Sequence, residues 1–370
     1  MPELIMNFPW WMFFAAAGLW HVYYLQRYWW PVMWNAQGKQ GRSGTAKPLS
    51  LIVAARNEAE NLRRNIPVWM AQDHPDFEVI VVNDSSWDET GLVLKEFAEV
   101  YPRLKIVSVE EQDKYPTGKK FALTLGIKAA SHSYLIFTDA DCRPASEQWL
   151  SRIQGAYKDS TELVLGHVQL EKTKGMLGMF QQFDALFTNL QCYGHALAGQ
   201  AFMGRGGNLS YLRNLFFYHK GFSAHLKHIS GDDGLFVNQA ATKNNVKVCL
   251  QPDAWTFTEA PTSWGAWFQQ KKRHVSSAAY LKFGHKLRTA MYGISLWMMV
   301  LWPALAWMWP LEYSAPWACL WVYRWGTLGW AAVRFKQAGL LPLLPILDLK
   351  NLFLRTLWAM SMTQPSKARW

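Results

Sequence analysis

The sequence predicts an α/β domain with a largely parallel sheet, set between apolar segments near both chain ends. Two observations predict it. Short β-rich runs at 49–55, 77–82, 105–109 and 134–138 alternate with stretches of roughly 12 to 16 residues whose spacing reads as helix, and such alternation builds parallel sheets. Outside this block the chain turns apolar. Residues 8–34 are interrupted only by His21, Gln26 and Arg27, and 291–311 and 315–333 are further apolar runs of spanning length.

The 370 residues suit one large domain with added segments, and 50% hydrophobic against 18% charged residues excludes a disordered chain. Many of the 22 Trp sit in the terminal apolar stretches, where an amphipathic ring suits a membrane–water boundary. The formal net charge of +11 points to anionic partners. A lipid surface or an anionic substrate fits better than nucleic acid, because no zinc-finger spacing is present and the ends are apolar. Cys142, Cys192, Cys249 and Cys319 show no CxxC pairing, so they read as reduced thiols.

The expected organisation follows. Residues 8–34 form an N-terminal transmembrane helix; no basic start or small-residue cleavage site marks a signal peptide. Lys39, Arg42 and Lys47 behind it put the next domain, 48–260, in the cytoplasm by the positive-inside rule. Residues 261–285 read as an amphipathic interface helix. Two transmembrane helices follow within 290–335, where Arg324 needs a partner or a route to water. Residues 340–362 are a third span or a surface-lying segment. The expected location is the inner membrane of a bacterium, multi-pass.

Ligands of parallel sheets sit at the carboxyl ends of strands, and the polar clusters fall there: Arg56-Asn57-Glu58, Asn83-Asp84 and Asp139-Ala140-Asp141. Two carboxylates two residues apart can share a hard cation, Mg2+ or Mn2+, with a diphosphate, although acids also end strands as plain turn formers. The turn holding Asp84 opens a helix that Ser86 or Asp88 would cap. Gly118-Lys119-Lys120 starts another helix, whose N-terminus and lysine suit phosphate. Gly231-Asp232-Asp233 offers a general base or, more plainly, a helix cap. Gln269-Gln270-Lys271-Lys272-Arg273-His274 reads by itself as a solvated basic face.

In order along the chain, Ala55-Arg56-Asn57-Glu58, Asn83-Asp84-Ser85-Ser86, Gly118-Lys119, Asp139-Ala140-Asp141, Gly207-Asn208-Leu209-Ser210-Tyr211, Gly231-Asp232-Asp233 and Gln269-Gln270-x-x-Arg273 resemble the family 2 glycosyltransferases, inverting enzymes of the GT-A fold. The resemblance covers roughly residues 49–273, and its strength lies in the order of several individually weak motifs. It implies that Ala55, Asn57, Glu58, Asp84, Lys119, Asp139 and Asn208 bind a UDP-sugar. It makes Asp141, with Asp139, the metal ligand, and Asp233, beside Asp232, the catalytic base. It sets Gln269, Gln270, Arg273 and His274 at the diphosphate or acceptor end. Asn83 stands where the family often has an acid, and His274 where it usually has a Trp that stacks on the acceptor sugar. The second departure, with few spans, favours one or a few transfers to a lipid or lipid-linked acceptor over processive polymer synthesis. A non-catalytic membrane protein that binds nucleotide-sugars is the reading from another class.

Overall fold

The computed structural model describes residues 10–35, 46–110, 118–158, 160–226, 231–305 and 314–360. The chain starts with helix α1 (Trp10–Tyr24), a π-helical turn (Leu25–Trp29) and α2 (Trp30–Asn35). The α/β block is β1 (Leu49–Ala55), α3 (Ala59–Met70), β2 (Phe77–Asp84), α4 (Thr90–Val100), β3 (Leu104–Val109), α5 (Lys119–Ala129) and β4 (Tyr134–Phe137). Then come β5 (Arg143–Pro144), α6 (Trp149–Gln154), β6 (Leu163–Gly166), β7 (Val168–Leu170), the long α7 (Gly175–Leu197), β8 (Leu209–Leu212), α8 (Arg213–Tyr218), α9 (Gly234–Ala240), β9 (Val246–Cys249) and β10 (Thr256–Thr258). Helices α10 (Trp264–Ser276), α11 (Phe283–Leu305), α12 (Ala315–Arg334) and α13 (Leu344–Met360) follow.

Seven strands form the main sheet in the order β3-β2-β1-β4-β8-β6-β9. The first four are parallel, as the β/α alternation requires, with Ala55 level with Asn83 and Asp84 level with Val109. Every β1 side chain is buried, the sign of a strand covered on both faces. β8 runs antiparallel to β4, with Phe137 opposite Leu209, so the residues entering β8 lie beside those leaving β4. That pairing brings the 206–208 segment to the Asp139 turn. A small sheet, β5-β10-β7, meets the same segment, where the Thr256 hydroxyl donates to the Gly207 carbonyl at 2.9 Å.

The N-terminal helical segment is part of the core. Tyr24, Leu25, Trp29, Val32 and Met33 are wholly buried and pack in one cluster with sheet residues such as Ile52 and Ile80. Close approach to α7 is possible because Gly194 has no side chain: a Cβ there would lie 2.2 Å from the Tyr28 carbonyl oxygen. Tyr24 donates to Gln191 and its hydroxyl lies 2.9 Å from His195 Nε2, fastening the same contact.

Among the described residues, no helix is long and apolar enough to cross a membrane. The segments expected as spans are helices whose polar residues turn toward one another. Arg324 on α12 makes a bidentate pair with Asp348 on α13, both contacts at 2.6 Å, and donates to the Tyr292 hydroxyl of α11 at 2.6 Å. It also lies 3.1 Å from His21 Nε2 of α1, whose Nδ1 meets Ser295 at 3.0 Å. Four helices thus share one buried cation. The segment expected as a single interface helix over 261–285 is divided: α10 stops at Ser276, a 3-10 turn covers Ser277–Tyr280, and α11 begins at Phe283.

Arg324→Leu would leave the Asp348 carboxylate buried without its cation and should destabilise the fold by about 3–5 kcal/mol. Pairing it with Asp348→Leu should recover most of the loss, read as thermal unfolding of the purified chain in detergent.

Candidate active site

Four elements meet at the carboxyl end of β4: the turn 138–142, the start of α5, the 205–208 segment and the turn before α9. They form a cleft lined by Lys119, Asp139, Gly206, Asp232 and Asp233, with Leu123, Phe137, Thr138, Leu209 and Tyr211 around them. Lys119 Nζ lies 2.6 Å from Asp139 Oδ1 and 3.3 Å from Asp232 Oδ2. Burial works against the ammonium, but Asp139, Asp232 and Asp233 outweigh it and hold Lys119 well above its ordinary pKa.

Asp233 caps α9. Its Oδ1 accepts the Gly234 N–H and its Oδ2 the Gly206 N–H, both at 2.6 Å. Burial and then Asp232 push its pKa up to about 6, while Lys119 and the Gly234 N–H pull back. Gly206 sits at the centre: a Cβ there would come within 3.4 Å of Lys119 Nζ, Asp139 Oδ1 and Asp233 Oδ2.

On the next turn, Asp141 accepts from the Thr258 hydroxyl at 3.0 Å and from the Cys142 thiol at 3.5 Å. Ligand atoms of Asp139, Asp141 and Cys142 lie within 4.8 Å of one another. Burial first, then repulsion from Asp139, raises the Asp141 pKa. Glu58 is raised by burial and by Asp141, Asp139 and Asp88, although its Oε2 accepts from Asn61. Crowded hard oxygens that repel one another fit a divalent cation such as Mg2+ or Mn2+.

The strand-end loops hold one another. Asn57 is left-handed at φ 58°, its N–H donates to Ser86 Oγ at 3.0 Å, and its Oδ1 accepts the Trp87 N–H at 3.0 Å. Asp88 takes the N–H groups of Ala59 and Thr90, so it joins two loops as well as opening α4.

The structure therefore brings together Lys119, Asp139, Asp141, Asp232 and Asp233, with Glu58 beside them. Ala55 and Asp84 are wholly buried at the ends of β1 and β2. Asn208 does not reach the cleft: it is 1% exposed, accepts from Trp149 and donates to the carbonyls of His167 and Ala254, which makes it a strand-entry brace. Gln269, Gln270, Arg273 and His274 do not line the cleft either. Their helix lies next to it, since a Cβ on Gly231 would be 3.2 Å from Ser277 Cβ. The side chains of Gln269, Gln270 and Arg273 make no hydrogen bond or ion pair with described residues. Lys271, from the same run, is instead paired with buried Asp184 of α7, which Arg355 of α13 also holds at 2.5 Å. These two cations outweigh burial and bring Asp184 down to about 2.

The sequence reading missed Gly206, Thr258 and Asp184. The Gly206-Gly207 doublet was the only visible signal among them. Thr258 and Asp184 become neighbours of site residues solely through long-range packing.

With that geometry established, the family model for glycosyl transferase family 2 matches residues 50–222. The chain carries a family 2 glycosyltransferase domain. Glycosyltransferase AglE of Haloferax volcanii is 32% identical to it over 146 residues, 39% of this chain and 46% of that protein. The probable glycosyltransferase YdaM of Bacillus subtilis is 25% identical over 256 residues, 64% of this chain and 56% of that protein. The chain spans about half the length of these curated relatives. In fold, the domain is similar to the mannosyltransferase PcManGT of Pyrobaculum calidifontis, solved with GDP-Man and Mn2+. The TM-score is 0.52 over 92% of this chain and 98% of that one, at 17% identity. The shared architecture is the GT-A fold.

Removing the hydroxyl that steadies Asp141 should weaken Mn2+ binding by the glycosyltransferase domain roughly tenfold in Thr258→Val, with Thr258→Ser restoring it. Titration of Mn2+ followed by electron paramagnetic resonance reads both.

Proposed function

We propose that this chain is a metal-dependent, inverting glycosyltransferase that moves a sugar from a UDP-sugar to a lipid or lipid-linked acceptor at the cytoplasmic face of a membrane. One observation carries the reading: Asp139 from the turn after β4, Lys119 from the start of α5 and Asp232-Asp233 from the turn before α9 meet around one cleft, with Asp141 beside Asp139. The Pyrobaculum structure was solved with GDP-Man and Mn2+, ligands of the class that this arrangement suits.

Asp139 and Asp141 would hold the cation, which supplies positive charge beside the leaving diphosphate. Lys119 adds a fixed ammonium on the same side. An acceptor hydroxyl placed between Asp233 and the donor loses its proton to the Asp233 carboxylate. Its oxygen forms the new bond to the anomeric carbon as the bond from that carbon to the diphosphate oxygen breaks. The electron pair leaves with UDP and the anomeric centre inverts. Glu58, Asn57 and Asp84, at the neighbouring strand ends, would serve the uridine.

Support for the membrane comes from surface chemistry. Met12, Phe13 and Leu19 of α1, Phe283 and Ile294 of α11, and Phe353, Leu357 and Met360 of α13 are exposed large apolar side chains. Helices that share polar contacts inside and present apolar residues outside suit a lipid surface. Exposed His274, in place of a stacking Trp, favours transfer of one or a few sugars over a growing polymer.

Asp233→Asn should lower transfer by about 10²–10⁴-fold while nucleotide-sugar binding is retained, as radiolabelled product and equilibrium binding would show. Because Asp233 works as the carboxylate and its pKa is raised to about 6, turnover should hold above that pH and fall as the pH drops through it. A pH–rate profile with saturating Mn2+ checks this, and EDTA should abolish the wild-type rate.

A further inference from the structure

A second set of cations lies near the cleft, where α1 and α2, the end of α7 and the start of α11 meet. Arg27 donates to the Ala198 carbonyl at 3.0 Å. Tyr28 stacks on His195 with ring centroids 4.1 Å apart and donates to Gln200 at 3.0 Å. His195 meets Phe202 edge-on at 5.0 Å, and Phe202 stacks on His285 at 5.5 Å. Arg288 follows His285 by three residues on α11, close to Tyr28 and His195.

The charged groups acting on the two imidazoles are all basic, and the phenols of Tyr24 and Tyr28 face His195 beside them. Burial, then His285, Arg288 and Arg27, take His195 down to about 3; burial, then Arg288 and Lys282, take His285 to about 4. Half-buried Arg288 makes no hydrogen bond or ion pair with any described residue, and Nδ1 of His195 and of His285 is buried without a hydrogen-bond partner among them. Cations gathered without an acid, beside unsatisfied polar atoms, mark a place made for an anion.

Two features define that anion. α1 and α11 run side by side and antiparallel: His21 meets Ser295, Tyr24 meets Tyr292, and Tyr28 lies near Arg288. Away from the cations, their outer faces expose Leu19, Tyr23, Leu287, Met291 and Ile294. An apolar track therefore starts at the basic cluster. In the other direction the cluster is one loop from the base. The chain runs from Phe202 to Gly206, whose N–H holds Asp233, and the Lys282 N–H at the start of α11 donates to Asn238 of α9 at 3.1 Å.

We infer that Arg27, Arg288 and His285 seat the phosphate of a lipid-linked sugar, with the sugar hydroxyl at Asp233 and the lipid tail along α1 and α11. This deepens the glycosyltransferase reading and rests on it for the sugar's role. Sugar, phosphate and tail then follow the order of base, cations and apolar track. A phosphate one loop away from Asp233 leaves a hydroxyl, not the phosphate oxygen, as the attacking group.

The test uses the full chain and phosphatidylcholine vesicles carrying either a polyprenyl phosphate or the uncharged polyprenol. Wild type should float preferentially with the phosphate vesicles. Arg288→Gln and Arg27→Gln should each weaken that preference roughly tenfold, with Arg288→Lys recovering part of it. Equal flotation with both vesicles, or an Arg288→Gln chain that matches wild type, overturns the site. Displacement by inorganic phosphate at the same concentration as the lipid phosphate overturns the lipid assignment. Wild type that selects polyprenyl phosphate yet never turns over a UDP-sugar overturns the glycosyltransferase reading and supports the lipid site.

Discussion

One ammonium among three carboxylates governs the cleft. Lys119 touches Asp139 and Asp232, with Asp233 close by. At about 3 Å, each such contact is worth roughly 5 kcal/mol of attraction for an effective dielectric constant near 20, before desolvation is counted. The acids repel one another by comparable amounts, and Asp141 and Glu58 add to the excess of negative charge. A diphosphate entering this field meets net repulsion unless more positive charge arrives with it. On the proposed reaction, donor binding and cation binding would therefore be coupled: the acids would attract the metal, and the metal would let the site accept the diphosphate. The antiparallel β4–β8 pairing contributes to this, because it brings the glycine at 206 among the charged groups, where even a Cβ would press on Lys119 Nζ at 3.3 Å.

Outside the sheet, two buried ion networks do the positioning. Arg324 joins α1, α11, α12 and α13, and Asp184 joins α7, α10 and α13. Such networks are poor sources of stability, because desolvation offsets most of the attraction. Their value is directional. A bidentate arginine–carboxylate pair is satisfied in one register only, so α12 cannot slide along α13 without exposing a buried charge. Lys271, bound by Asp184, fixes the rotation of α10 and with it the face that carries Gln270 and Arg273, one turn apart.

How much of this could be read in advance depends on the range of the interaction. The β-rich runs at 49–55 and 134–138 reappear as β1 and β4 because strand pattern and turn chemistry are local. The Asp139-Ala140-Asp141 turn and the acids before α9 were also legible, since each is a short motif at an element's edge. Asn208 misled for the same reason: its motif is local, but its environment is set by Trp149 and two distant carbonyls. Arg324 announced that it needed a partner, yet nothing in the pattern could say that Asp348, His21 and Tyr292 would all meet it. The apolar ends were read by composition as independent spans. Composition does not encode that Gly194 lets the N-terminal helix press onto α7, where its aromatic residues become core.

The base role proposed for Asp233 rests on opposed effects that neither neighbour sets alone. Burial and Asp232 destabilise the carboxylate, while two backbone N–H groups and Lys119 stabilise it, and the balance falls near 6. A carboxylate at its ordinary value would be ionised at neutral pH but about a hundredfold less basic. One raised much further would be protonated and idle. At about 6, roughly nine-tenths of the molecules carry the ionised base at pH 7, with most of the available gain in basicity kept. The Gly206 and Gly234 N–H groups also occupy one lone pair on each oxygen, so the remaining lone pairs are directed and the proton is accepted from a restricted angle. A base tuned and aimed in this way would serve a hydroxyl that the protein itself holds in place. On that proposal the seating of the acceptor, as well as the acid cluster, would decide what this chain can glycosylate.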